Sequence, residues 1–241
     1  MNQDPSLAIA PALLRQACGA RQRQIRISLQ SLAAAFLLAL IPLRANAQDT
    51  VSGLLDASKR GDLDALRSLL GKGGTDSNAK NSDGRTALME AAYWGRAEAA
   101  KLLLEKGADA NAKDKEDRTA LIDASGNGHI EVVLALLEKS ANLNAKNKEG
   151  SSALMEAASN NRAEVVKALL GKGAAIDEKD KDGRTALILA AYWGHADAAQ
   201  TLIEKGANVN AKDKYGYSPM MYAKRESHPN VAEVLAKAGA K

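Results

Sequence analysis

The chain has one cysteine, Cys18, among 241 residues, so no disulfide can form within it. Aromatic residues are nearly as scarce: one phenylalanine, two tryptophans and five tyrosines. The leucine positions that must build the core hold none of them. Three histidines, His129, His195 and His228, are the only side chains placed to act as general bases near neutral pH. They stand 66 and 33 residues apart, and with no cysteine nearby they offer no metal-ligand spacing. There is no GxSxG, P-loop or GxGxxG, and the lysine of GKGG at 71–74 has no Ser or Thr after it. An enzyme, a metal and a cofactor are therefore not expected.

Long apolar runs are also missing. The longest one, SLAAAFLLALIPL at 31–43, has 13 residues, whereas a membrane-spanning helix needs about 20. Arg15, Arg21, Arg23 and Arg26 precede it, and Ala-Asn-Ala at 45–47 follows it. A basic region, a short apolar core and an A-x-A site describe a secretory signal peptide, with cleavage expected between Ala47 and Gln48. The alternative is an uncleaved membrane anchor. Cys18 precedes the apolar run and so does not look like a lipoprotein acceptor. The whole chain carries a formal charge of +4. Five of its arginines but only one acid, Asp4, lie in 1–47, so the remainder has 28 basic and 28 acidic residues. Without a surviving Lys/Arg block, neither nucleic acid nor a stable membrane contact is expected as a partner.

What the sequence does have is a period of 33. AAYWGR at 91–96 returns as AAYWGH at 190–195, with Trp94 and Trp193 99 residues apart. Hydroxyl residues recur at Thr86, Thr119, Ser152, Thr185 and Ser218, and leucines at Leu88, Leu121, Leu154 and Leu187, with Met220 last. Asn78, Asn111, Asn144, Asp177 and Asn210 keep the same step. Each unit reads as a turn followed by an N-cap and two short helices. A Gly or Asn separates the helices at Gly95, Gly128, Asn161 and Gly194. Gly107, Gly173 and Gly206 fit a left-handed C′ position, which Ser140 fills less comfortably in one unit. Neither helix can stand alone, so neighbouring units must bury the core between them.

This pattern resembles the ankyrin repeat, a 33-residue unit with a T-P-L-H-x-A-A core. The resemblance implies an all-α solenoid of about six helix-turn-helix units with β-turn fingers. Its expected divisions are a signal peptide at 1–47, a capping repeat at 48–81, repeats at 82–114, 115–147, 148–180 and 181–213, and a last cap at 214–241. The chain departs from the family at two positions. Alanine replaces the proline at Ala87, Ala120, Ala153 and Ala186, and apolar residues replace the histidine at Met89, Ile122, Met155, Ile188 and Met221. Apolar packing should stand in for that histidine's inter-repeat hydrogen bonds. The resemblance also gives His129 and His195 a loop-shaping role.

By the same resemblance, Tyr93, Trp94, Tyr192, Trp193, Tyr215 and Tyr217 face the concave surface. They form two aromatic stations with a small polar valley (Gly126, Asn127, Ser159, Asn160) between them. Tyr222 continues a row that begins with Glu90, Asp123 and Glu156 and passes through Leu189. Arg85, Arg118 and Arg184 lie one turn before that row and are placed to pair with it. Two readings stay open for the aromatics: anchors for a partner, or covers lying flat over the next repeat. The carboxylate row is either part of the binding face or a solvated, self-neutralised one. The expected function is binding of another protein in the periplasm by a monomer, as scaffold, inhibitor or protective partner of an enzyme. Some exported bacterial members look like helpers of peroxide defence. The alternatives are a secreted effector binding a host protein, and a cell-wall or sugar-binding protein or enzyme.

Overall fold

Residues 49–71 and 75–241 are described by the computed structural model. The signal-peptide segment, with Ala47 and Gln48, and most of GKGG lie outside the described residues, as does the extra residue expected near Gly74. Helices fill the rest in pairs: α1 (49–60) with α2 (Leu63–Gly71), α3 (Ala87–Tyr93) with α4 (Ala97–Glu105), α5 (Ala120–Asn127) with α6 (Ile130–Glu138). Then come α7 (Ala153–Ser159) with α8 (Ala163–Gly171), α9 (Ala186–Trp193) with α10 (Ala196–Glu204), and α11 (Pro219–Arg225) with α12 (Pro229–Lys237). Thr50–Lys241 forms one compact unit. Among the described residues the only isolated β-bridge joins Lys146 and Ser152.

The helices stack in two rows. From α3 to α11, each first helix packs on the first helix of the next pair; the second helices do the same from α2 to α12. Leu88, Leu121, Leu154 and Leu187 from one row, and Leu103, Leu136, Leu169 and Leu202 from the other, are fully buried between them. Burying one such side chain contributes about 1.5–3 kcal/mol, which no seven- to nine-residue helix could secure alone. Met89, Ile122, Met155 and Ile188 are buried too, so apolar packing does fill the family's histidine position. Met221 is the exception and stays exposed.

Each first helix begins at the expected hydroxyl. Thr86, Thr119, Ser152, Thr185 and Ser218 accept from the backbone N–H three residues on at 3.3–3.4 Å. In α3 the reciprocal bond is made by sulfur: the Thr86 N–H donates to Met89 Sδ at 3.4 Å, where a capping box would normally use Glu or Gln.

Polar contacts repeat along the stack with the same step. The side-chain oxygens of Asn78, Asn111, Asn144, Asp177 and Asn210 each accept the backbone N–H of a residue 31 positions on, at 2.7–3.1 Å. Lys80, Lys113, Lys146 and Lys179 each donate Nζ–H to the carbonyl of the equivalent lysine in the next unit, at 2.7–3.3 Å. The fingers are Asx turns: Oδ1 of Asn81, Asp114, Asn147, Asp180 and Asp213 accepts from the N–H groups two and four residues later.

The inter-helix loops are clamped from one unit to the next. His129, His195 and His228 place Nε2 at 3.0–3.1 Å from the carbonyls of Tyr93, Ser159 and Tyr192. A carbonyl only accepts, so each imidazole carries its proton on Nε2. Arg96 and Arg162 donate Nε–H to the equivalent carbonyls of Lys59 and Gly126. The loop-shaping histidines are thus inter-repeat clamps. Their presence also accounts for a glycine: a Cβ on Gly194 would lie 2.6 Å from His228 Nδ1, and φ is already +76°.

Candidate functional site

The partner-binding residues expected from sequence lie on the first helices, their ends and the fingers before them. At its centre is an ion-pair network. Arg118 Nε meets Asp123 Oδ1 at 2.7 Å, and the Arg85 guanidinium meets Asp123 Oδ2 at 3.0 Å. Arg85 also holds Glu90 at 2.6 Å and reaches Asp114 at 3.4 Å. Asp123 is only 1% exposed, so this part of the row is no solvated face. Burial alone would lower both arginines, but the facing carboxylates outweigh it and raise them.

Glu156 is different. Its unit has Ser151 where the preceding two have Arg85 and Arg118. Its closest cation is Arg118 at 3.9 Å, beyond hydrogen-bond range. Burial raises its pKa; Arg118 opposes that, while Asp123 and Glu149 add to it.

Arg184 does not join the row, contrary to expectation. Its Nε and terminal nitrogen meet Asp180 and Asp182 in its own finger at 2.9 and 3.0 Å. The reason is that Leu189, not a carboxylate, fills the row position in α9.

The aromatic stations also come out unequal. Tyr93 and Trp94 meet edge to face at 5.3 Å, with Lys59 over Trp94 at 5.0 Å and Arg85 over Tyr93 at 5.7 Å. At the far end, four rings form a chain: Trp193–Tyr192 at 4.9 Å, Tyr192–Tyr222 at 5.5 Å and Tyr222–Tyr217 at 5.3 Å. Tyr222, expected on the binding face, is instead 6% exposed and donates its hydroxyl to Asp213 Oδ2 at 2.6 Å. Burial and that charged acceptor push its phenol up to about 12. It is a support for the other rings. Trp94 is 42% and Trp193 55% exposed, and Tyr93, Tyr215 and Tyr217 are exposed as well, while Tyr192 is half-buried. Both tryptophans keep a large share of their surface open to solvent.

Sequence reasoning missed Lys59 and Arg225. Arg225 stacks over Tyr217 and Tyr222 at 5.0 and 4.6 Å. The 33-residue step could have found it, because Arg225 is one step beyond Tyr192. Lys59 was hidden by the break in register near Gly74. Between the stations, Asn127 and Asn160 donate Nδ2–H to the carbonyls of Asp123 and Glu156 at 2.9 Å, which closes the ends of their helices. No group of three His, Cys, Asp or Glu among the described residues could hold a metal, and no described helix is long and apolar enough to cross a membrane.

The family description "Ankyrin repeats (3 copies)" matches residues 54–147 and 154–241. No curated protein sequence matches. Among solved structures, the crystal structure of the human ASB11 ankyrin repeat domain is similar, with 29% identity and a TM-score of 0.72. The alignment covers 78% of this chain and 84% of that one.

Proposed function

The chain belongs to the ankyrin-repeat family, and on that premise we propose that it is a non-catalytic periplasmic module that binds a partner protein through the outward side of its first-helix row. Ankyrin repeats are protein–protein interaction modules. Export rests on the signal-peptide pattern ending at Ala47, and in a Gram-negative cell a cleaved signal leads to the periplasm. The role is that of a scaffold, inhibitor or protective partner of an enzyme, with stress defence as the setting.

One observation carries the choice of face. Of seven aromatic residues in the repeats, five are exposed, and all five lie on the first helices or their adjoining fingers. Exposed Trp and Tyr are enriched among residues that anchor protein interfaces. Arg85, Glu90, Asp123 and Arg118 hold the floor between the stations, and Tyr217 and Tyr215 extend the far end.

The test is a pull-down from periplasmic extract with the chain starting at Gln48, beside a Trp94→Ala/Trp193→Ala double variant of matched thermal stability. A protein retained by the wild type and lost by the variant supports this reading. Equal retention by both moves the site to another surface. If partners come only from extracellular or host extract, the periplasmic assignment fails.

A further inference from the structure

The floor of the valley is unevenly neutralised. Glu90 has Arg85 at 2.6 Å, and the buried Asp123 takes both Arg85 and Arg118, at 3.0 and 2.7 Å. That exhausts the arginines of the row, since Ser151 stands where the third would be and Arg184 is turned into its own finger. Glu156 is left with a cation at 3.9 Å, and its side chain is 22% exposed.

Nor do its polar neighbours help. Asn160 and Asn127 spend their Nδ2–H groups on backbone carbonyls, and Ser159 donates its hydroxyl to the Met155 carbonyl at 2.8 Å. No hydrogen bond to the Glu156 carboxylate forms among the described residues. Gly126 faces it from the preceding helix, where even a Cβ would lie only 3.6 Å from Glu156 Oε2. Glycine at 126 thus places no side chain against that oxygen. One unit further along, the row turns apolar at Leu189, and Trp193 stands 55% exposed. Trp94 has Lys59 over its ring; among the described residues no cation lies over Trp193.

We propose that Glu156 seats a basic side chain, arginine or lysine, of the partner protein, and that Trp193 covers an apolar residue further along the same segment. This rests on the binding face proposed above and adds the chemistry of its occupant. A half-buried carboxylate without a donor is poorly solvated. A guanidinium or ammonium arriving through the gap at Gly126 supplies both the charge and the hydrogen bonds the fold withholds. Successive helices lie about 10 Å apart, and an extended segment rises about 3.3 Å per residue. Trp193 lies four residues beyond Leu189, the equivalent of Glu156, which adds about 6 Å along the helix. Glu156 and Trp193 are thus about 12 Å apart, and the basic and apolar residues of an extended segment stand about four positions apart, on one face of it.

The experiment uses synthetic decapeptides of Gly and Ser carrying Arg and Leu four positions apart, on one face of the extended chain, with twins in which Gln or Glu replaces Arg. Binding to the chain from Gln48 is read by NMR shift changes up to millimolar peptide. The Arg peptide is expected to bind about tenfold tighter than its Gln twin, as a charge-assisted pair should, and the Glu twin weakest. Glu156→Gln should erase the difference between Arg and Gln twins, while Trp193→Ala should weaken all peptides alike. Equal binding of the twins to the wild type overturns the proposal, as does failure of every peptide to bind. If the twins bind equally yet Trp193→Ala still weakens them, the basic seat falls and the aromatic face stands. If the Arg preference survives in Glu156→Gln, the charge is read elsewhere and the assignment to Glu156 is wrong.

Discussion

Ser140 sits with φ at +59° in the C′ turn where other units have Gly107, Gly173 and Gly206. A left-handed backbone costs a side-chain-bearing residue about 1–2 kcal/mol. Ser140→Gly should therefore raise stability by about 0.5–1 kcal/mol once the extra freedom of glycine in the unfolded chain is counted. A urea midpoint that moves up with an unchanged slope would show it. Two other glycines separate backbone from packing. Gly206 has nothing within 4 Å of a would-be Cβ, whereas at Gly194 it would strike the His228 ring. Gly194→Ala should accordingly lower the melting temperature clearly more than Gly206→Ala. The period of 33 made these turns legible, since a serine in a column of glycines stands out. The collision at Gly194 was not legible, because it depends on a side chain 34 positions away. Glu156 adds a pH effect. Its folded pKa is raised, so between its unfolded and folded values the native state binds more protons than the unfolded chain, and stability falls as pH rises through that window. Glu156→Gln should remove that fall and raise the melting temperature at neutral pH. A melting-temperature series from pH 4 to 8 on both chains decides it.

Among the elements, α11 shows how a repeat adapts at the end of a stack. Pro219 opens it at a position where Pro suits the first helical turn, and this unit regains the proline that the others replace with alanine. Tyr222 fills the row position and bonds to Asp213 in the preceding finger, tying helix to turn. Tyr222→Phe keeps the ring and removes a hydrogen bond to a carboxylate, for which a loss of about 1.5–3 kcal/mol is expected in chemical unfolding. Burial would raise the Asp213 pKa, but the Tyr222 hydroxyl and the N–H groups of Tyr217 and Tyr215 outweigh it and lower it. The stability it lends is thus present at neutral pH and lost on acidification through its folded pKa. Helix positions and caps could be read from the hydroxyl and leucine columns alone. The direction of Arg184 could not, because it follows from what faces it. An arginine opposite Leu189 finds no acceptor there and turns to Asp180.

For the whole stack, every unit is stable only through its neighbours. Six of the eight residues of α9 are buried because α7 and α11 flank it. A chain ending at Asp213 should therefore melt lower than the full one and bind a hydrophobic dye, since Ile188 and Ala190 would lose their cover. The loss should exceed that from any single substitution above. Fold class and repeat number were legible from periodicity, which records what each unit must present to the next. The binding face was legible only in part. Exposed aromatics announce themselves, but the uneven sharing of two arginines among three carboxylates is visible only once distances are known.

The lysine and asparagine ladders carry a different implication. Each rung joins equivalent positions of adjacent units, lysine Nζ to lysine carbonyl and asparagine oxygen to a backbone N–H 31 residues on. A gene duplication that inserted one whole unit would meet compatible partners on both sides, whereas a slip of a single residue inside the ladder would break every rung it crossed. The extra residue near Gly74 precedes the first of these rungs. Length is therefore a quantity this protein can change in steps of one repeat, and the distance between Trp94 and Trp193 would change with it. The face is graduated like a ruler, and a lineage could refit it to a longer or shorter partner without redesigning any junction.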